Sequence, residues 1–506
     1  MPGEAVVLGP FEGGINTLSD PTMIADNELV DCVNYDIDVD GSLKSRPPFY
    51  TLANPASGAT RMVILGYFTI GGVDHLLGCN SAGIWRFTTG AWTVIVASVK
   101  STAMVQYDGK AWVVATADSS ANGGSWDGTT WVSIAAIPRG ESAIVHKERL
   151  WIVPGPNATA NDSVLKFSAV TDFTNWPAAN AILVGKGDGQ KLVHTLVFND
   201  NIFLFKQDST FHFAFDASPS QGVLREVNPN IGTANRFCVV AYENQLYILH
   251  EGNVYEMINT DFNKINTKIP FVYDPTQPSP WGDPTYITLI GQRLLVRYYA
   301  KLYVFNLKAR VWTRWETALY PGPFMPRPVR GETTVNVVYI AGSAVLNQGP
   351  GPIYAFEDGY SSNVEAGISC KIKTKDYDME SSHTYKRLFW WGVDLVSNSQ
   401  VTGKINPITA SYGVRWSDLH TYTWDQLAGN TWDQPLSTPT SIEDIVPPES
   451  STLNKIFIKF LQAIRFKKVN FEVTTSYDGT IIKGPVRLFS LTALVRIKQH
   501  ASKTVT

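Results

Sequence analysis

Residues 202–213 read Ile202-Phe203-Leu204-Phe205, then Lys206-Gln207-Asp208-Ser209-Thr210, then Phe211-His212-Phe213. Two short apolar, aromatic runs on either side of a polar turn predict a β-hairpin. The pattern returns in Leu246-Tyr247-Ile248-Leu249 with Val254-Tyr255-Glu256-Met257, and in Leu294-Leu295-Val296 with Leu302-Tyr303-Val304-Phe305. It returns again in Leu150-Trp151-Ile152 with Val164-Leu165-Lys166-Phe167, and in Val338-Tyr339-Ile340 with Ile353-Tyr354-Ala355-Phe356. Weaker copies are Leu76-Leu77 with Ile84-Trp85-Arg86-Phe87, and Trp112-Val113-Val114 with the Trp126 to Trp131 segment.

One anchor from the leading strand of each pair (Leu76, Trp112, Trp151, Phe203, Tyr247, Leu295, Tyr339) gives spacings of 36, 39, 52, 44, 48 and 44 residues. Repeats of about 40 to 50 residues built from short strands are the sequence form of propeller blades. The reading favours a β-propeller of about seven blades over two stacked sandwiches. Several units close on a tryptophan after a turn (Trp92, Trp131, Trp176, Trp312), where a flat ring is expected to fill the wedge between blades.

The period breaks after residue 363. Cys370 to Lys375 alternates, Tyr385 to Val396 reads as a long buried strand, and 456–461, 469–474 and 486–497 supply three more, which together predict a β-sandwich. Between them lie a polar loop carrying Trp424 and Trp432 in a small duplication, and a loose segment near Pro435 to Pro448. The expected organisation is all-β: an extended amino-terminal arm over 1–55, running along another surface, a propeller over 56–362 and the sandwich over 363–506.

The 506 residues hold 42 Lys and Arg against 45 Asp and Glu, a net charge of −3. That balance excludes the basic footprint of a nucleic-acid binder. Only 17% are charged, and aromatics reach 12%, as suits a chain rich in buried strands. No run approaches the roughly 18 apolar residues of a membrane span, and the start lacks the pattern of a secretory signal. Cys32, Cys79, Cys238 and Cys370 are far apart in sequence, so buried single thiols in a reducing compartment are expected. Basic residues cluster late, at Lys455, Lys459, Arg465, Lys467, Lys468, Lys483, Arg487, Arg496, Lys498 and Lys503. A solvated outer face is the plain reading of that cluster, and a docking face for an acidic partner the alternative.

Signals for chemistry are weak. Asp36-Ile37-Asp38-Val39-Asp40-Gly41 copies the first half of a calcium loop, but Pro47 stands where the bidentate Glu belongs. A strand with Ile37 and Val39 inward, ending in an Asp-Gly turn, is favoured. Ser125-Trp126-Asp127-Gly128-Thr129-Thr130-Trp131 resembles the Asp-box turn of sialidase-like propellers with one residue missing. Gly185-Lys186-Gly187-Asp188-Gly189 lacks the Lys-Ser/Thr of a phosphate loop and reads as a blade connector. The eight histidines show no zinc-ligand spacing. No catalytic, cofactor-binding or metal residues are assigned, and no enzyme is expected.

The amino terminus reads Phe11-Glu12-Gly13-Gly14-Ile15-Asn16, then Asn34-Tyr35-Asp36, then Asp40-Gly41-Ser42-Leu43, closing on Arg46-Pro47-Pro48. It resembles a group of tailed-phage structural proteins, similar to the minor tail proteins of long-tailed actinobacteriophages and, more distantly, to propeller-bearing tail nozzle proteins of short-tailed phages. Gly13, Gly14, Asn16, Asn34, Gly41, Arg46 and Pro47 match that motif; Pro48 departs from it, standing where a Gly is common. The resemblance implies turn roles for the glycines and a carboxylate or carbonyl partner for Arg46.

The role implied is a virion component at the distal tail tip, assembled in the host cytoplasm. It would form a ring with copies of itself and with other tail proteins of the tube, baseplate or tip. The rival readings are a tail protein that binds host cell-wall glycan through Trp424 and Trp432, and a propeller glycosidase.

Overall fold

The computed structural model describes residues 4–47, 49–53, 63–80, 82–88, 91–155, 163–185, 187–271, 285–298, 301–316, 320–326, 337–343, 353–357, 368–378, 386–396, 400–408, 440–445, 454–466, 468–476 and 487–497. Their regular structure is β-strand, with two short 3-10 turns at Pro219–Gln221 and Arg236–Cys238. The chain forms two compact units: residues 48–303 with 317–359, and residues 1–47 with 304–316 and 360–506.

The first unit is the β-propeller. Its first five blades are antiparallel four-stranded sheets that follow the chain, opening with Val63–Ile70, Ser101–Tyr107, Ser142–His146, Leu192–Phe198 and Val239–Tyr242. The sixth contributes Tyr286–Ile290, Arg293–Tyr298 and Lys301–Asn306, the last of which leads out of this unit along the chain. The seventh takes Tyr320–Pro326, Val337–Ser343 and Ile353–Glu357 from late in the sequence, and its outermost strand, Phe49–Ala53, from the start. Opening strands of neighbouring blades lie side by side, and Tyr320–Pro326 meets Val63–Ile70, which closes the ring. Between the fourth and fifth blades the link is made by the turn Arg236–Cys238.

The hairpins read from sequence are the second and third strands of the blades, one step out from the axis. They are buried on both faces by the neighbouring blades, which is why they read as continuous apolar runs. One cluster between the second and third blades joins Trp112, Val114, Leu150, Ile152 and Phe173, with Trp176 packed against it. Another, between the first and second, includes Ile70, Leu77, Val113 and Trp126, with Trp131 against it. These two closing tryptophans fill the wedges as expected, and Trp151 is buried in the next cluster round, between blades three and four.

The second unit is a β-sandwich into which the amino-terminal arm is woven. One sheet runs Asn454–Phe466, Lys386–Val396, Arg487–Ile497, Leu43–Ser45, Tyr35–Ile37, with Glu4–Leu8 also on Arg487–Ile497. The other places Glu28–Val33 between Val311–Trp315 and Ser369–Thr374, then continues through Lys468–Ser476, Gln400–Ile408 and Thr440–Ile445. Trp391 of the first sheet packs on Phe471 of the second, ring centroids 5.6 Å apart.

Several expectations are corrected here. The described residues from Glu4 to Pro47 are not a separate arm on another surface but contribute strands to the sandwich, where Leu29, Cys32, Tyr35 and Leu43 are fully buried. The three-part division at 55 and 362 gives way to two units that interleave along the chain. Part of the segment near Pro435 to Pro448 is the strand Thr440–Ile445, paired with Gln400–Ile408. In the Asp-Gly hairpin Ile37 is buried, but Val39 is 49% exposed and Asp36 points inward, because Asp38 starts the turn by accepting from Gly41 N while its own N–H donates to Ser42 O. All four cysteines are buried and unbridged, as expected.

Candidate functional site

The motif residues meet in a buried polar node in the sandwich unit. Asn34 adopts a positive φ of 58°, which an Asn tolerates better than most residues. Its Nδ2 donates to the Ser369 carbonyl at 2.7 Å, and its Oδ1 accepts from Glu316 N and from Arg46 Nε, each at 2.8 Å. Arg46 is 2% exposed. It also donates from Nη1 to Pro47 O at 3.1 Å and from Nη2 to Glu316 O at 2.9 Å, and lies 5.8 Å from the Trp315 ring. Of the partner types expected for Arg46, it takes carbonyls, joined by an amide oxygen. Asp36 accepts from Trp315 Nε1 at 3.1 Å.

A second knot fixes the start of the arm. Asn16 Nδ2 donates to Glu28 Oε2 at 2.9 Å, and that oxygen also accepts from Ala25 N at 2.9 Å. Gly13 N donates to Asn27 O and Gly14 N to Phe11 O. Gly14, at φ +68°, leaves no room for a Cβ, which would stand 3.0 Å from both Trp312 O and Val311 Cβ. Gly41, at φ +75°, closes the Asp-Gly turn against Pro10, whose Cβ would be 2.5 Å from an added one. Among the described residues, these hydrogen bonds tie the motif residues to backbone and side-chain groups of the same unit. Trp424 and Trp432 lie outside the described residues.

In the propeller, the Asp-box-like turn is structural. Asp127 Oδ1 accepts from Thr129 N, Thr129 Oγ1 and Thr130 N at 2.7–2.9 Å, and these hydrogen bonds pull its carboxyl down to about 2. The glycine-rich connector does more than join blades. Asp188 reaches Lys206, whose side chain is 0% exposed, at 2.6 and 2.8 Å, and Gly185 O accepts from the same ammonium at 2.9 Å. Asp208, His250 and Glu251 bring ligand-type atoms within 4.8 Å of one another, with both carboxylates exposed.

The site that sequence reading missed is at the leading ends of the propeller's opening strands. Ser101 N donates to Cys79 Sγ at 3.1 Å, Thr102 Oγ1 to Glu141 O at 3.0 Å, and Thr195 N to Ser142 Oγ at 3.2 Å. Asn235 Nδ2 donates to Thr285 O at 3.0 Å. These bonds stitch successive blades. Ser142 Oγ also lies 2.8 Å from His194 Nδ1. Burial, with the Arg236 charge second, depresses the His194 imidazole to about 3, so it is neutral near pH 7. Burial likewise lifts the Cys79 thiol to about 11, which keeps it protonated and unreactive. Arg236 is held at about 9 by burial, still cationic, with Glu141 as the first opposing charge. The sequence signal for this girdle is slight: Ser heads two opening strands, at Ser101 and Ser142, and Thr285 stands just before a third.

No family model matches the chain, and no curated protein matches it. Among solved structures it is similar to the extracellular domain of the one-component system BT4673 from B. thetaiotaomicron, at 8% identity and a TM-score of 0.42, over 63% of this chain and 40% of that one. It is also similar to the AfRom2 CNH domain (8% identity, TM-score 0.41, 62% and 100% of the two chains) and the Neurospora crassa Pan2 WD40 domain (8%, 0.37, 63% and 97%). The chain thus spans less than half of the B. thetaiotaomicron domain. At such identities and scores nothing of what those proteins do carries over; the propeller stands on its own sheets and their closed ring.

Proposed function

We propose that the chain is a structural protein of a bacteriophage virion, a minor tail protein at the distal tail tip that builds a ring with copies of itself and neighbouring tail proteins. The observation that supports this is the use to which the motif is put. The residues carrying the resemblance to phage tail proteins (Gly14, Asn16, Asn34, Gly41, Arg46) fix an amino-terminal arm into the strands of a sandwich. That is the work of a scaffold, in which tight backbone fitting matters and no substrate is turned over. On this reading the function is assembly, with sparse surface charge suited to permanent burial against sister subunits.

The test is antibody labelling of purified phage particles that carry this gene, together with protein identification in the particles. Label at the tail's distal end in a fixed copy number is expected. Absence of the chain from the virion sinks the proposal, and label on lateral fibres that bind cell-wall glycan replaces it with the adhesive reading.

A further inference from the structure

Three side chains from two neighbouring blades meet at the seam between the fourth and the fifth. Asp208 lies on the turn between Asn201–Lys206 and Thr210–Ala214 of the fourth blade. His250 and Glu251 lie at the corresponding turn of the fifth, between Gln245–His250 and Asn253–Ile258. One ligand-type atom from each of the three lies within 4.8 Å of the other two, and His250 Nε2 stands 4.0 Å from Glu251 Oε2.

Both turns are fixed by their own backbones. Asp208 N and Ser209 Oγ donate to Gln190 Oε1 at 3.2 and 3.0 Å, and Lys206 N donates to Ser209 O at 2.8 Å. Lys206 O accepts from Thr233 N at 2.8 Å, on the link into the fifth blade. There His250 pairs with Asn253 in the ladder, and Glu251 and Gly252, at φ of 47° and 74°, make the tight turn between them.

His250 carries the argument. The residue is only 8% exposed, so its ring is held by packing. Its ring nitrogens make no hydrogen bond to a described residue, and the long approach to Glu251 is its one contact with a charge. Buried polar side chains ordinarily have a partner. Neither ring nitrogen is among the fully occluded polar atoms, so an ion arriving from solvent has access to the imidazole.

The carboxylates are unspent as well. Among the described residues, nothing donates to the side chain of Asp208 or Glu251, and no lysine or arginine pairs with either. Lys206, two residues before Asp208, is committed to Asp188 and Gly185 O. Two carboxylates this close repel each other, and a cation between them turns that repulsion into attraction.

The donor set selects the ion. One imidazole nitrogen with two carboxylate oxygens suits zinc and ions like it, whereas magnesium and calcium take shells of oxygen. Bonds of about 2.0–2.2 Å in a tetrahedral shell put ligand atoms about 3.4 Å apart. Gaps of 4.0 to 4.8 Å must therefore close. The exposed carboxylates of Asp208 and Glu251 have the freedom to do so, with the buried imidazole as the fixed point.

We propose that Asp208, His250 and Glu251 bind one zinc-type divalent ion, water completing its shell, and that the bound ion joins the fourth blade to the fifth.

The test is isothermal titration calorimetry of the full chain, freed of metal by chelation and dialysis, with zinc chloride or magnesium chloride at pH 7. Saturable binding of one zinc per chain is expected, with no such binding of magnesium. Asp208→Ala and Glu251→Gln, both at exposed positions, are each expected to weaken zinc binding at least about tenfold, and His250→Gln to abolish it. Anomalous diffraction at the zinc edge from wild-type crystals checks the position without any variant. No saturable zinc binding by wild type, equal binding of magnesium, an affinity unchanged in Asp208→Ala, or anomalous density away from the three side chains overturns the proposal.

Discussion

Asn34 and Arg46 clasp each other twice: Arg46 Nε donates to the Asn34 side-chain oxygen at 2.8 Å, and Arg46 N donates to the Asn34 carbonyl at 2.9 Å. The clasp joins Tyr35–Ile37 and Leu43–Ser45 at their open end and turns a short hairpin into a unit that can enter the sandwich. Replacing Arg46 by Met keeps much of the volume but strips donors from Asn34 Oδ1, Pro47 O and Glu316 O. A loss of about 3 kcal/mol is expected, read by urea unfolding followed through tryptophan fluorescence. A change within about 0.5 kcal/mol, the range of ordinary surface substitutions, would show that the clasp is ornamental.

Lys206 and Asp188 respond unequally to mutation. Removing the acid with Asp188→Ala leaves an ammonium buried with one carbonyl, Gly185 O, and is expected to destabilise by about 3–5 kcal/mol. Lys206→Met removes the buried charge itself and is expected to be much milder, and to rescue Asp188→Ala in the double variant. Equal single effects without rescue would refute a charge-pair account.

His194 makes the propeller acid-sensitive. Its folded-state value of about 3 lies below the ordinary histidine value of 6.5, so between these limits the unfolded chain binds a proton that the folded chain does not. Stability therefore falls as pH drops below about 6.5, by up to about 1.4 kcal/mol per pH unit from this group. His75, His146 and His212 are shifted the same way, chiefly by burial. Denaturation curves at pH 7, 6 and 5 should show a shallower decline for His194→Gln than for wild type. Parallel declines would remove His194 from the explanation.

On the tail-ring reading, the basic residues of the last strands face acidic neighbours. Raising salt from 0.1 to 1 M shortens the screening length from about 10 to about 3 Å, so purified assemblies are expected to lose mass in light scattering. Assemblies that hold their mass across that range would point to apolar contacts instead.

The strands visible in sequence were those buried on both faces, such as Ile202 to Phe205, whose four residues are all buried. The opening strands were not read, because Leu192–Phe198 mixes buried and half-buried positions and carries His194 and Thr195. Those strands hold the axial girdle, so the girdle escaped with them. Glu28–Val33 was hidden for another reason: Glu28 and Asp31 interrupt its apolar run, and Leu29 pairs with Thr374, far along the chain. Lys206 looks like a surface charge in a linear reading, and Arg46 is marked as partnered only through the resemblance of its motif. Only the carbonyl and carboxylate acceptors gathered by the fold make them core residues.

The Phe49–Ala53 strand sets a timetable for biosynthesis. Its partner Ile353–Glu357 lies about 300 residues later, with Phe49 opposite Phe356. At translation speeds of about 5–20 residues per second, the strand waits some 15 to 60 s for its mate. Throughout that interval an early segment must stay unpaired while the intervening blades form beside it. The ring thus locks only when the last blade has left the ribosome, and a nascent chain stalled before residue 353 leaves a blade face uncovered at each end of the row and the Phe49–Ala53 strand without its mate.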